Sequence, residues 1–138
     1  MSRSACAAIL VVSALAACGC HFGTRTQTFG PARGPGGVAA EIVTPAGSWV
    51  SGELLEVQDT ALLVLSDQRI VLVPYSLVRS AQFDQMNRNT MILGQVTPSV
   101  AVREELRLVS RFPQGVTPGL LEELLAAYGQ SEVIRVVR

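Results

Sequence analysis

Three residues near the N-terminus have side chains that could do chemistry together, namely Cys18, Cys20 and His21. Thiolates and imidazoles bind zinc, but a closed zinc site needs four ligands, usually from two separated pairs. No cysteine follows Cys20, and His21 is the only histidine. We therefore expect no metal site. This single histidine stands beside a Gly- and Pro-rich stretch and thus outside the predicted folded domain. The domain therefore has no Ser–His or Cys–His pair, and we expect no enzyme and no cofactor.

Three arginines form the second group with chemical potential. Arg103, Arg107 and Arg111 recur every four residues, which places them in one line along a predicted helix. They could contact anions or lipid headgroups near a membrane surface, or they could form a solvated face. The chain has eleven basic residues, all arginine, and eleven acidic ones. Such a balance argues against nucleic acid as a partner.

Trp49 and two glutamates lie on one predicted strand. Trp49 could stack on a ligand, or it could pack in the core or beneath the helices. Glu53 and Glu56 are three positions apart, and successive side chains of a strand alternate between its faces. We therefore expect these carboxylates on opposite faces, where they would not form a catalytic pair.

The first 17 residues have the pattern of an export signal. Arg3 supplies a short positive segment, and residues 5–17 are apolar apart from Ser13. This run is shorter than the roughly 20 residues that a membrane-spanning helix needs. It suits the apolar part of a secretory signal peptide instead.

The motif "LAAC" at the end of this segment resembles the bacterial lipobox. In lipoproteins of that kind, the cysteine is acylated and the chain is cut just before it. The resemblance implies that Leu15, Ala16 and Ala17 are recognised by the signal peptidase, and that Cys18 becomes the lipidated N-terminus. Gly19 follows where an Asp would favour the inner membrane, so the resemblance favours the outer membrane, on its periplasmic face.

Two alternatives to lipidation of Cys18 remain. Cleavage after Ala16 would release a soluble secreted protein. Acylation at Cys20 is disfavoured because no aliphatic residue stands three places before it. Metal binding by the cysteines is disfavoured for the reason given above, and Cys20 would remain as an odd thiol in an oxidising compartment.

Residues 18–37 are rich in Gly, Pro and Thr and are predicted to form a flexible tether. Residues 38–83 contain five short runs rich in Val, Ile and Leu, separated by turn residues, which predicts five strands closing into a small antiparallel barrel. Gly52, inside one run, is typical of a bulge or a sharp bend.

This strand region resembles the Sm-like small β-barrels. The residues that carry the resemblance are Gly47, Gly52, Leu54, Asp59, Leu63, Leu65, Val78 and Arg79. The Asn and Gly that RNA-binding members carry are replaced by the Thr60–Leu62 stretch and by Ser80. The resemblance therefore implies the fold and does not imply RNA binding.

Residues 84–97 form a connector without a predicted structure. Residues 98–138 contain two "VTP" motifs, in which Thr is a good N-cap and Pro suits the first helical position. They predict helices over about 98–112 and 118–128, joined by a short link as a helical hairpin. The predicted fold class is thus mainly β with α, a five-stranded barrel followed by this hairpin.

Together these features predict a lipid-anchored envelope protein that acts as an interaction or scaffold module. Its expected partners are membrane lipid through Cys18 and a protein of the envelope. The alternative is a lipoprotein that binds a small molecule or a lipid in a cavity near Trp49.

Overall fold

The computed structural model describes residues 36–84, 86 and 91–137. The sequence expectations for Leu15, Ala16, Ala17, Cys18 and the cysteine and histidine that follow lie outside these residues.

The described residues contain one mixed β-sheet. Its strands are β1 (Ala39–Val43), β2 (Trp49–Val57), β3 (Ala61–Ser66), β4 (Arg69–Pro74), β5 (Ser80–Phe83), β6 (Ile92–Leu93) and β7 (Ile134–Arg135). The strand order is β6-β5-β1-β2-β3-β4-β7, with every neighbouring pair antiparallel except β4 and β7. Strands β1 to β5 fall within the five predicted runs, so those strands are confirmed.

The sheet does not close into a barrel. Strand β5 turns back to pair with β1, but short strands of the same chain then occupy both edges, β6 beside β5 and β7 beside β4. Closure would have required β4 and β5 to meet, and β6 and β7 now lie on those edges. The coarse prediction of a mainly β fold with helices is therefore right, and the five-stranded barrel is wrong.

The β4 edge is covered by the chain that follows the second helix. The Gln130 side chain accepts a hydrogen bond from the Ile70 N–H (2.6 Å), and its amide donates to the Ile70 carbonyl (3.4 Å). Strand β7 then pairs in parallel with β4, and the Val136 N–H donates to the Leu72 carbonyl (3.0 Å). An exposed sheet edge invites pairing with other chains, so this segment closes part of it.

Strand β2 contains a β-bulge. Its register with β3 shifts between Leu54 and Glu56, so that Leu55 is the extra residue. Leu54 and Leu55 therefore point to opposite faces of the sheet, and each is fully buried in a different hydrophobic cluster.

Each face of the sheet is covered by one helix. Helix α1 (Val100–Val109) buries Leu106 in the larger cluster, and helix α2 (Pro118–Ala127) packs against the smaller one. We call these the α1 face and the α2 face. The buried side chains of the α1 face are Ala40, Ile42, Val50, Leu54, Val57, Leu62, Val64, Val73, Tyr75, Val78, Ala81, Phe83, Ile92 and Leu106; those of the α2 face are Leu55, Leu63 and Ile70.

The predicted helical hairpin is not formed, because the two helices contact opposite faces of the sheet. The link between them runs along β2. The Arg111 N–H donates to the Leu54 carbonyl (3.0 Å), and the Phe112 N–H donates to the Leu55 carbonyl (2.9 Å). Phe112 then packs on the α2 face. A short link therefore carries the chain past the edge of β2 from one face to the other.

The two helix starts differ from each other although their motifs are identical. Helix α2 begins as predicted, with Thr117 as N-cap and Pro118 in its first turn. Helix α1 is capped by Ser99, whose hydroxyl accepts the Val102 N–H (3.3 Å), so its predicted start at Pro98 is two residues early.

Gly52 is needed for close packing rather than for the bulge itself. A Cβ at this position would lie 1.9 Å from the Leu65 carbonyl oxygen of β3, a distance that no side chain tolerates. The bulge that Gly52 was predicted to mark lies beyond it, at Leu55.

We predict that Gly52→Ala lowers the free energy of unfolding by about 2–3 kcal/mol, since β2 and β3 would have to separate. Gly119→Ala is the matched control. Nothing lies within 4 Å of a Cβ at Gly119, and the residue is helical, so this change should raise stability by about 0.5–1 kcal/mol. Urea denaturation of both variants measures the two effects. Equal stability of the variants would contradict the close approach of β2 to β3.

Candidate functional site

Arg103 and Arg107 of α1, and Arg111 of the link that follows it, all have polar partners within the domain. An Arg103 guanidinium N–H donates to the Pro98 carbonyl (2.8 Å), and the Arg107 Nε–H donates to the Val57 carbonyl (3.0 Å). Arg111 pairs with Glu53 (3.3 Å). Their side chains are only 16%, 28% and 32% exposed, in that order. The line of arginines is thus not a solvated face, and contact with anions or headgroups stays a prediction.

Arg107 is the centre of this arrangement. Besides its bond to the Val57 carbonyl, it pairs with Asp59 (2.9 Å) and with Glu104. Burial acts to lower the pKa of Arg107, but the hydrogen bonds to Asp59 and Glu104 outweigh it and raise the pKa above its usual range. Arg107 therefore stays charged and ties α1 to the turn between β2 and β3.

Arg103 contributes less to the ion pairs. Its Nε lies 3.9 Å from the Asp59 carboxylate, too far for a hydrogen bond. This Nε is buried and has no hydrogen-bond partner among the described residues. Asp59 thus forms its close ion pair with Arg107.

Glu53 and Glu56 lie on the same face of the sheet, contrary to the sequence expectation. Glu53 pairs in register with Leu65, and Glu56 with Leu63, and both leucines belong to the α2 face. The bulge at Leu55 adds one residue between the glutamates and so cancels the alternation that a regular strand would impose.

Both carboxylates serve as hydrogen-bond acceptors for the backbone. Glu53 accepts the Gly37 N–H (2.6 Å) and pairs with Arg111. Glu56 accepts the Val116 N–H (3.0 Å), and its second oxygen accepts the Gln58 amide (2.8 Å). Gly37, predicted to belong to the tether, is therefore bonded to the folded domain. The two glutamates thus hold the segments at Gly37 and Val116 against β2.

An open pocket of about 570 Å³ lies beside these ion pairs. Glu56, Asp59, Glu104 and Arg107 line it together with Leu108. Its only described cation is neutralised by two of these carboxylates, so the pocket lacks a free positive charge for an anion.

Trp49 lies outside the core. Its side chain is 67% exposed, so the prediction that it packs in the core or beneath the helices is wrong. Neither of the two described pockets is lined by Trp49. Its role as a ligand-stacking aromatic therefore stays a prediction.

Trp49 belongs to a row of side chains that crosses four strands. Trp49 pairs in register with Val43, Val43 with Ser80, and Ser80 with Leu93. Their neighbours Val50, Ile42, Ala81 and Ile92 are buried on the α1 face, so the row points to the opposite side. With strands about 4.8 Å apart, Trp49 and Leu93 are about 14 Å from each other.

The row lies on the part of the sheet that α2 leaves uncovered. Helix α2 packs on side chains of β2, β3 and β4, and none of the row belongs to that cluster. Leu93 is 60% exposed, while Val43 between the two ends is 8% exposed. Sequence reasoning missed Leu93, because a two-residue strand in a polar connector has no periodicity; only its pairing with Ser80 reveals its place.

Within the described part of the chain, no group of three or more His, Cys, Asp and Glu side chains could hold a metal ion. No helix of that part is both long enough and apolar enough to cross a membrane.

Comparison of the chain with protein-family models, with curated proteins and with solved structures gave no significant match. Functional inference therefore rests on the residues and the geometry described above.

Tyr75 provides a pH-dependent test of the core next to the ion pairs. It is 1% exposed, and its hydroxyl donates to the Gln58 carbonyl (3.1 Å). Burial raises the pKa of Tyr75 from 10.0 to about 12, against the opposing effect of Arg103 and Arg107.

We predict that the stability contributed by Tyr75 is fully present below pH 10 and is lost as the pH rises toward 12. The folded protein holds this proton more tightly than the unfolded chain, so the loss should reach about 2 kcal/mol. Tyr75→Phe should cost about 1 kcal/mol at neutral pH and should flatten this decline. Chemical denaturation between pH 8 and 12 measures the free energy of unfolding of the wild-type chain and of Tyr75→Phe, with Tyr128→Phe as control. An unchanged decline in Tyr75→Phe would refute the assignment.

Proposed function

We propose that this chain is a lipid-anchored bacterial envelope protein whose folded domain is a non-enzymatic interaction module. The "LAAC" motif supports the anchor, with Cys18 as the lipidated residue and membrane lipid as its partner. Gly19 in place of Asp supports the periplasmic face of the outer membrane over the inner membrane.

The observation that carries the interaction role is the pair of exposed apolar side chains at the two ends of the row, Trp49 and Leu93. Large apolar side chains that remain exposed on an uncovered sheet face favour association. Trp is also among the residues that contribute most to binding free energy at protein interfaces. The row is held on paired strands, so little conformational entropy would be lost on binding.

The composition of this face supports a protein as the partner. Glu41 and Gln82 pair with each other across β1 and β5 and share the side of Val43. Burial of a carboxylate among lipid chains is costly, whereas protein interfaces have polar surroundings around a few apolar anchors. The alternative function, a ligand cavity near Trp49, draws no support from the two described pockets, since Trp49 lines neither.

The anchor is tested by labelling cells with a radioactive fatty acid. We predict that the wild-type chain incorporates label and that Cys18→Ser does not, because the acylated thiol is absent. Cys20→Ser is the matched control and should keep the label. Retention of label in Cys18→Ser, or its loss in Cys20→Ser only, would contradict lipidation at Cys18.

The interaction surface is tested by photo-crosslinking in intact cells. A photoreactive phenylalanine analogue at position 49 or 93 should give an adduct with a defined envelope protein, and the same analogue at Glu122, exposed on α2, should not. Trp49→Ala should abolish the adduct formed from position 93 without unfolding the domain, since Trp49 is 67% exposed.

Three outcomes would contradict this proposal. They are adducts with lipid alone, equal protein adducts from position 122, and an adduct from position 93 that persists in Trp49→Ala. The first would favour a membrane-facing surface, and the others would remove the Trp49 row from recognition.

A further inference from the structure

A second pocket, of about 270 Å³, lies at the other end of β3 and β4 from their hairpin turn. Its polar lining comes from Thr60, Ser76, Thr97 and Arg135. These residues belong to the β2–β3 turn, the 3₁₀ helix after β4, the segment before α1, and β7. Only the folded chain brings the four together, and convergent polar groups of this kind mark many binding sites.

Backbone hydrogen bonds hold the segments of Thr60, Ser76 and Arg135 in place. The Tyr75 N–H donates to the Thr60 carbonyl (3.0 Å), which ties the β2–β3 turn to the 3₁₀ helix that contains Ser76. Arg135 stands opposite Leu72 in the parallel pair of β4 and β7, and Leu72 also lines the pocket. The Val136 N–H, one residue after Arg135, donates to the Leu72 carbonyl and so holds β7 beside β4 at that point.

The charge of this pocket differs from that of the larger one. None of the described residues that line it is acidic, and Arg135 forms no salt bridge with the described part of the chain. In contrast, Arg107 in the larger pocket is paired with two carboxylates. The smaller pocket is therefore lined by three hydroxyl-bearing residues and by an arginine without a described salt bridge, and all four residues are exposed at the surface.

We propose that the pocket of Thr60, Ser76, Thr97 and Arg135 binds a phosphate-type oxyanion. A guanidinium donates in a planar fork that matches phosphate oxygens, and hydroxyl groups add further donors. Four donor groups from four segments suit an anion with three or more oxygens better than a carboxylate with two. The phosphate could be inorganic or could be the phosphomonoester of a lipid headgroup, since both sources offer three or more terminal oxygens.

The test titrates inorganic phosphate into the isotope-labelled full chain in a neutral detergent and follows backbone amide resonances. Those of Thr60, Ser76 and Arg135 should shift in a saturable way, with chloride at equal ionic strength as the reference. Arg135→Gln should weaken binding at least tenfold, and Thr97→Val several-fold. Arg79→Gln is the matched control, since it removes the same charge from an exposed residue outside both described pockets.

A second arm identifies the source of the phosphate. Vesicles of phosphatidic acid in phosphatidylcholine are compared with vesicles of phosphatidylcholine alone, whose phosphodiester has only two terminal oxygens, using the same amide resonances. Shifts with inorganic phosphate, or with the phosphatidic acid vesicles but not with phosphatidylcholine alone, support the site and name its ligand, provided that Arg135→Gln abolishes them. The proposal is overturned if neither probe shifts these amides, if acetate binds as tightly as phosphate, or if Arg79→Gln weakens binding as much as Arg135→Gln.

Discussion

The extra residue at Leu55 interrupts the regular pairing of β2 with β3, and the rest of the domain is arranged around that interruption. Beyond Leu54, β1 no longer runs beside β2, and the carbonyls of Leu54 and Leu55 need other donors. The link between the helices supplies them through the N–H groups of Arg111 and Phe112. A buried backbone group without a partner costs about 1–3 kcal/mol, so the link is held to this edge of β2.

The same bulge determines how the charged residues are used. It brings Glu53 and Glu56 to one face, where Glu53 bonds Gly37 and Arg111 at one end of the link, and Glu56 bonds Val116 at the other. Arg107 then fastens α1 to the Val57 carbonyl and to Asp59. Charged side chains of this region thus hold three segments against β2, namely the segment at Gly37, helix α1 and the link between the two helices.

Local features of the fold were predictable from the sequence, and features that depend on register were not. Runs of Val, Ile and Leu between turn residues locate the five strands, and Thr117 with Pro118 locates the start of α2. The helix pair was mispredicted because the length of a link does not reveal that its backbone pairs with β2. The faces of Glu53 and Glu56 were mispredicted because strict alternation fails at a bulge, and no residue type at Leu55 announces one. Closure of the sheet depended on where β6 and β7 pair, and strands of two residues carry no signal for their pairing partners.

The candidate surfaces were hidden from the sequence for a related reason. Arg103, Arg107 and Arg111 attract attention as a line of like charges, yet the fold gives all three polar partners and pairs Arg107 and Arg111 closely with carboxylates. Arg135 stands alone in the sequence and lies beside three hydroxyl-bearing residues only because β7 pairs with β4. Trp49 and Leu93 share a face through two intervening strands. In this domain a polar residue with intramolecular partners stabilises the fold, so recognition is best sought at residues whose partners the fold does not provide.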